Sequence, residues 1–201
     1  MKNLFALFAL IVMLFACNNA EQKGEKTKVE RYTSEEMGWT IEIPEGFQSL
    51  SKNKVEANAE KGKAAISDVY GEQVTADGLI HLVNFQKNQF NQLNAAIEVF
   101  KEKDPVAYER NNEVVKKLIY DTYTKQKIKV DTLSGHELIG KYRFHTFAIK
   151  IYGPDGNLIL NQLVYNQLIK GYDFSVNINY NNEADKKTLL SAFKNAKFEE
   201  N

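Results

Sequence analysis

The stretch from Tyr142 to Tyr180, YRFHTFAIKIYGPDGNLILNQLVYNQLIKGYDFSVNINY, decides the fold. Runs rich in β-branched and aromatic residues are separated by Pro154-Asp155-Gly156 and by Lys170-Gly171, a pattern that reads as a three-stranded antiparallel meander. The first interruption suits a three-residue hairpin loop with Gly156 in the left-handed conformation, and the second suits a two-residue turn. Pairing Gly153 with Asn157 and Ile169 with Tyr172 sets Ile151 opposite Ile159, Phe147 opposite Leu163, and Leu163 opposite Ile178. Tyr165 and Val176 join that apolar face, and a slip of one residue would invert every side chain. The other face mixes Phe144, Thr146, Val164 and Leu168 with Gln162, Asn166, Ser175, Asn177 and Asn179, which predicts partial cover.

Upstream, Trp39, Ile41 and Ile43 alternate with polar residues until Pro44-Glu45-Gly46, giving a half-buried strand and a turn. Val55, Ala59, Gly62, Ile66 and Val69 recur at helical spacing. Residues 80–85 and 93–99 read as strands, although Ala95-Ala96 leaves a helix open for the second. Asp104-Pro105 starts a helix, since Asp caps well and Pro is tolerated at the first position, and Val114, Val115, Leu118 and Ile119 give it a narrow apolar stripe. A last helix is capped by Asn182, carries Asp185 in its first turn and buries Leu189, Phe193 and Ala196, with Lys197-Phe198 after it as a short apolar anchor.

At the other end, an apolar run from Leu4 to Ala16 follows Lys2 and stops at Cys17, the only cysteine of the chain. A charged start, a short apolar stretch and a small residue before the cut describe an export signal too short to span a bilayer. With Cys17 as the residue after the cut, the pattern is that of a bacterial lipoprotein. A thiolate is nucleophilic enough at neutral pH to take the diacylglyceryl group. The expected organisation is a signal peptide at residues 1–16, lipidated Cys17 and a flexible tether to residue 36, and one domain over 37–201. Residues 18–31 have almost nothing to bury. With Cys17 consumed by lipid no disulfide is available, so the domain must rest on its core, which a chain of this length can supply.

Lys and Arg number 26, as do Asp and Glu, and loss of residues 1–16 leaves one excess negative charge. Such balance gives no field to concentrate nucleic acid, so none is expected as a partner. His81, His136 and His145 are the only histidines, and none stands in a metal-ligand spacing; no metal or cofactor is expected. His136 and Glu137 point apart if their segment is extended. No nucleophile elbow, phosphate loop or dinucleotide fingerprint is present.

The opening Gly38-Trp39-Thr40-Ile41-Glu42-Ile43-Pro44-Glu45-Gly46-Phe47 resembles the strand-Pro-x-Gly-aromatic start of PsbP-like and Mog1-like domains. Tyr172-Asp173-Phe174-Ser175-Val176, Leu189-Leu190 and Lys197-Phe198 are similar to their closing strand and helix. The resemblance covers residues 37–200 and implies an α+β fold, an antiparallel β-sheet packed between helices as an α/β/α sandwich. It further implies a domain of the kind found in extrinsic photosystem subunits, a Ran-binding protein and envelope lipoproteins, which bind partners and carry no catalytic set.

The meander register makes one constellation of Arg143, His145, Tyr165 and Gln167, with Arg143 paired to Gln167 and His145 to Tyr165. It reads either as a polar rim with a Tyr165 to His145 hydrogen bond or as a pocket for an anion or carboxylate, with Arg143 as the bidentate fork. The chain is thus expected to be a non-catalytic binding or accessory component of a membrane-associated complex. It would be lipid-anchored to the inner or outer membrane of a bacterial envelope, with its domain outside the cytoplasm and a protein partner. The alternative is a small-ligand-binding protein or minor hydrolase with its pocket near Arg143 and His145. If Cys17 is the lipid site, Cys17→Ser leaves the precursor uncut there and removes the acyl mass from the N-terminus; an unmodified, uncut wild-type chain in mass spectrometry contradicts this.

Overall fold

The computed structural model describes residues 30–71, 78–102 and 104–199; Cys17, the signal peptide and most of the tether lie outside them. Along the chain run β1 (Glu30–Ser34), β2 (Trp39–Ile43), β3 (Gln48–Ser49), α1 (Lys52–Tyr70), β4 (Ile80–Asn88), β5 (Asn91–Val99) and α2 (Pro105–Lys125). There follow β6 (Val130–Ile139), β7 (Tyr142–Tyr152), β8 (Leu158–Ile169), β9 (Tyr172–Tyr180), α3 (Glu183–Lys194) and β10 (Lys197–Phe198). The strands make a seven-stranded antiparallel sheet in the order β3-β4-β5-β9-β8-β7-β6 and a three-stranded sheet β1-β2-β10.

Local chemistry accounts for the helix limits. The Asp104 carboxylate accepts from the Val106 N–H at 3.0 Å to start α2, and Asn182 Oδ1 accepts from the Asp185 N–H at 2.9 Å to start α3. α1 ends at Gly71, whose φ of 69° suits a left-handed cap. Lys170 and Gly171, at φ 51° and 82°, make the tight turn between β8 and β9.

Two cores lie on opposite faces of the large sheet. On one, Leu189 and Phe193 of α3 and Trp39, Ile41 and Ile43 of β2 pack on Phe85, Leu93, Ile97, Phe144, Phe174 and Ile178. Its centre is aromatic, with Trp39 and Phe174 rings 5.0 Å apart and Phe144 and Phe193 5.6 Å apart, edge to face. On the other, Val115, Ile119 and Tyr123 of α2 pack on Phe147, Ile149, Ile151 and Val164. Ile66 of α1 meets Leu118 of α2. The architecture is the expected α+β one, an antiparallel sheet between helices.

The structure corrects the expected register of the first hairpin. The turn itself forms as read, with Gly153 N–H donating to the Asn157 carbonyl at 2.8 Å and Gly156 at φ 80°. Beyond it, Tyr152 pairs with Leu158 but Ile151 pairs with Leu160, so Ile159 is a bulge. Phe147 therefore lies opposite Val164, not Leu163, while Leu163 faces Ile178 and Ile169 faces Tyr172 as expected. Three further differences follow from packing. β1 begins at Glu30, within the segment read as tether, because Tyr32 stacks near Trp39 and the whole strand pairs with β2. β6, with few strand-forming side chains, is held by its ladder to β7. The amide-rich face is buried, not half open: Gln162, Asn166, Ser175, Asn177 and Asn179 all lie out of solvent.

The aromatic core predicts a large, local sensitivity. Phe193→Ala should cost about 3–5 kcal/mol of unfolding free energy in urea titration, whereas Val114→Ala, on the exposed flank of α2, should change it by less than about 0.5 kcal/mol.

Candidate functional site

The bulge at Ile159 separates the four side chains expected to converge. His145 lies opposite Asn166 on β8 and His136 on β6, not opposite Tyr165. Alternation places Arg143 and His145 on the face toward α2, and Tyr165 and Gln167 on the face toward α3. The expected juxtaposition of Arg143 with Gln167 and His145 with Tyr165 is therefore corrected. Tyr165 stacks 5.0 Å from Phe193 and donates to Glu137 Oε2 at 3.0 Å, and Glu137 also accepts from Lys194. Gln167 Nε2 donates to the Leu168 carbonyl at 3.2 Å, and Arg143 is exposed. His136 and Glu137 do point apart, the first toward α2 and the second toward α3.

A different polar cluster forms under the start of α2. The His145 ring lies 4.6 Å from His136 and 5.9 Å from Tyr108, centroid to centroid, and its Nε2 is 3.2 Å from Glu109 Oε1. Burial lowers the His145 pKa, Glu109 opposes that, and the nearby His136, Lys116 and Arg143 reinforce it. Tyr108 donates to Asp173 Oδ1 at 3.0 Å, and Asn166 hydrogen-bonds the same carboxyl. Asp173 is only 6% exposed, and burial pushes its pKa up to about 6, with the Glu98 charge adding to the rise and the two hydrogen bonds opposing it. Burial and Asp173 together push the Tyr108 phenol far up, so it stays a donor at any ordinary pH. Sequence offered no signal for this cluster, since Tyr108, Glu109 and Asp173 come together only when α2 docks on β9. The cavity beside His145 is about 10 Å³, room for no more than one water. Among the described residues no group of three or more His, Cys, Asp or Glu is arranged to hold a metal.

An open groove lies in the opposite layer. Thr40 and Glu42 alternate with the buried residues of β2 and point outward, beside Arg31 of β1 and the flank of α3 formed by Thr188, Ser191, Ala192 and Asn195. These residues line an open groove of about 980 Å³, with Pro44 and Phe47 at one side and Lys187 and Lys197 at its rim. Arg31 Nη2 donates to Glu42 Oε1 at 2.6 Å, and the Thr33 and Thr40 hydroxyls are 3.0 Å apart, so the small sheet presents a braced polar floor. The groove offers apolar and charged contacts of both signs in a space open to solvent. In the sequence its walls are almost the whole domain apart, and each alone looks like a solvated flank.

The cluster generates a pH prediction. Asp173 holds its proton more tightly folded than unfolded, so its favourable contribution is full below about pH 4 and is lost as pH rises through about 6. His145 acts in the opposite sense, opposing folding as pH falls through its ordinary value. Asp173→Asn keeps an acceptor for Tyr108 without the charge. Its stability relative to wild type should be near zero at pH 4 and rise to on the order of 2 kcal/mol by pH 7 in denaturant titrations; a difference independent of pH would contradict the assignment.

No protein-family model and no curated protein matches the chain. Among solved structures it is similar to the solution structure of cyanobacterial PsbP (CyanoP) from Synechocystis sp. PCC 6803, at 10% sequence identity and a TM-score of 0.56, over 90% of this chain and 98% of that one. At that identity the likeness is one of fold. It supports the PsbP-like architecture to which the sequence resemblance pointed.

Proposed function

We propose that this chain is a lipid-anchored envelope protein whose domain serves as a non-catalytic binding component of a membrane-associated complex, with the groove between the small sheet and α3 as its contact surface. The observation that supports this reading is the position of the groove at the anchored end. Glu30 and Arg31, the first described residues, form part of its lining, and they directly follow the segment that leads back to Cys17. As the tether proposed from its composition, that segment would span roughly 20 Å as about a dozen residues of coil, and a partner held there would lie within reach of the bilayer. The fold likeness to CyanoP agrees with the PsbP-like resemblance read from the sequence, and it is that resemblance which implies a partner-binding domain. Attachment is assigned to Cys17; among the described residues no helix is long and apolar enough to cross a membrane. Acyl chains on that cysteine would supply more than one hydrophobic signal, as stable anchoring requires.

The pocket reading near Arg143 and His145 finds no volume beside His145 for a substrate, and the groove is the better place for a ligand. Thr188→Arg with Ser191→Arg fills the groove from α3 without touching either core. After mild crosslinking of native membranes and affinity purification, partners recovered with wild type should fall at least fivefold with this variant, at unchanged thermal stability. Equal recovery by both proteins would place the contact elsewhere.

A further inference from the structure

β6 is the outer strand of the seven-stranded sheet and pairs with β7 on one side only. The Tyr152 N–H donates to the Lys129 carbonyl, which fixes the phase of the ladder. Lys129 and each second residue after it turn their peptide groups toward β7, and Val130, Thr132, Ser134, His136 and Leu138 turn theirs outward. Among the described residues no strand pairs with that outward row. Exposed edges are commonly kept short, bulged, or marked with Lys or Pro. β6 is ten residues long, keeps an unbroken register with β7, and contains neither Lys nor Pro. It also exposes Leu133 to 73% and Leu138 to 70%, one on each face.

The side chains of the edge are self-complementary when the pairing is centred on Leu133. A two-fold axis normal to the sheet keeps each face on its own side, so antiparallel self-pairing joins positions of equal parity. Centred on Leu133, that residue meets Leu133 of the partner subunit, and Lys129, just before β6, meets Glu137 of the partner subunit. Moving the centre to Thr132 sets Leu133 against an aspartate, and moving it to Ser134 sets Asp131 against a glutamate. Both alternatives lose complementarity. Glu137 is already held in place by Tyr165 and Lys194, so its carboxylate is fixed before any partner arrives.

We infer that β6 pairs antiparallel with β6 of a second copy of this chain, centred on Leu133, and joins two seven-stranded sheets into one continuous sheet. The contact is a single strand pair with its flanking side chains, at the small end of stable interfaces, so the dimer is concentration-dependent. In the ladder phase set by Lys129, Leu133 and its counterpart form a non-hydrogen-bonded pair, the closer of the two kinds. Cysteines there stand within disulfide reach. Cysteines at position 138 stand at opposite ends of the paired strands, far beyond it.

The test uses the full chain in mild detergent with Cys17→Ser, so that an introduced cysteine is the only thiol. Leu133→Cys should give a disulfide dimer on oxidation, at least fivefold more than Leu138→Cys, whose exposure is nearly the same and which reports random collision. Adding Lys129→Glu, which sets like charges against Glu137 of the partner subunit, should lower the Leu133→Cys yield severalfold. Equal yields at the two positions, no dimer from Leu133→Cys, or a yield indifferent to Lys129→Glu would each overturn the pairing.

Discussion

Ile159, the bulged residue that β8 inserts opposite β7, governs which layer each side chain of the outer sheet serves. Strands alternate with period two, so one extra residue rotates β7, and β6 with it, by one position relative to β8 and β9. That sends Phe144 to the aromatic core with Phe174 and Phe193, and Phe147, Ile149 and Ile151 to α2. With the hairpin unbulged, Phe147 would stand beside Leu163 and His145 beside Tyr165, and α2 would have lost its apolar seat. The polar cluster around His145, the seat of α2 and the phase of the β6 edge all depend on this one insertion.

The two faces of the sheet solve different physical problems. The face toward α3 is dense with aromatic rings and takes its specificity from shape. The face toward α2 buries amides and a carboxyl, which is costly unless each finds a partner. Tyr123 donating to Gln162 Oε1 at 3.2 Å, Tyr108 donating to Asp173 and Ser175 donating to the Ala96 carbonyl at 3.3 Å are such partnerships. They fix how α2 and the strands lie against one another, and the costs that remain are the elevated proton affinity of Asp173 and the Asn177 and Asn179 Oδ1 atoms, buried without a partner.

Much of this was legible in the chain because local chemistry repeats itself there. Asp104 and Asn182 announce their helices by capping, Lys170-Gly171 announces a tight turn, and Trp39 to Ile43 alternates cleanly. A bulge has no comparable signature: Ile159 differs from its neighbours only in what the opposite strand does. β1 and β6 were missed for a related reason, since Glu30 to Ser34 and Val130 to Ile139 hold their places by pairing with a stronger neighbour. The candidate cluster around Arg143 failed by the same one-residue error, and the groove was invisible because its two walls are joined only by folding.

The three-stranded sheet has a consequence for the timing of folding. β2 stands between the first and last described strands, and Phe198 of β10 stacks with Trp39, Tyr142, Phe144 and Phe174. The aromatic core therefore stays incomplete until β10 has docked on β2. Closing β10 on β2 also brings together chain segments almost a full domain length apart, a slow and late event. A chain built this way acquires most of its sheet before its aromatic packing, so the two are separate events in its folding.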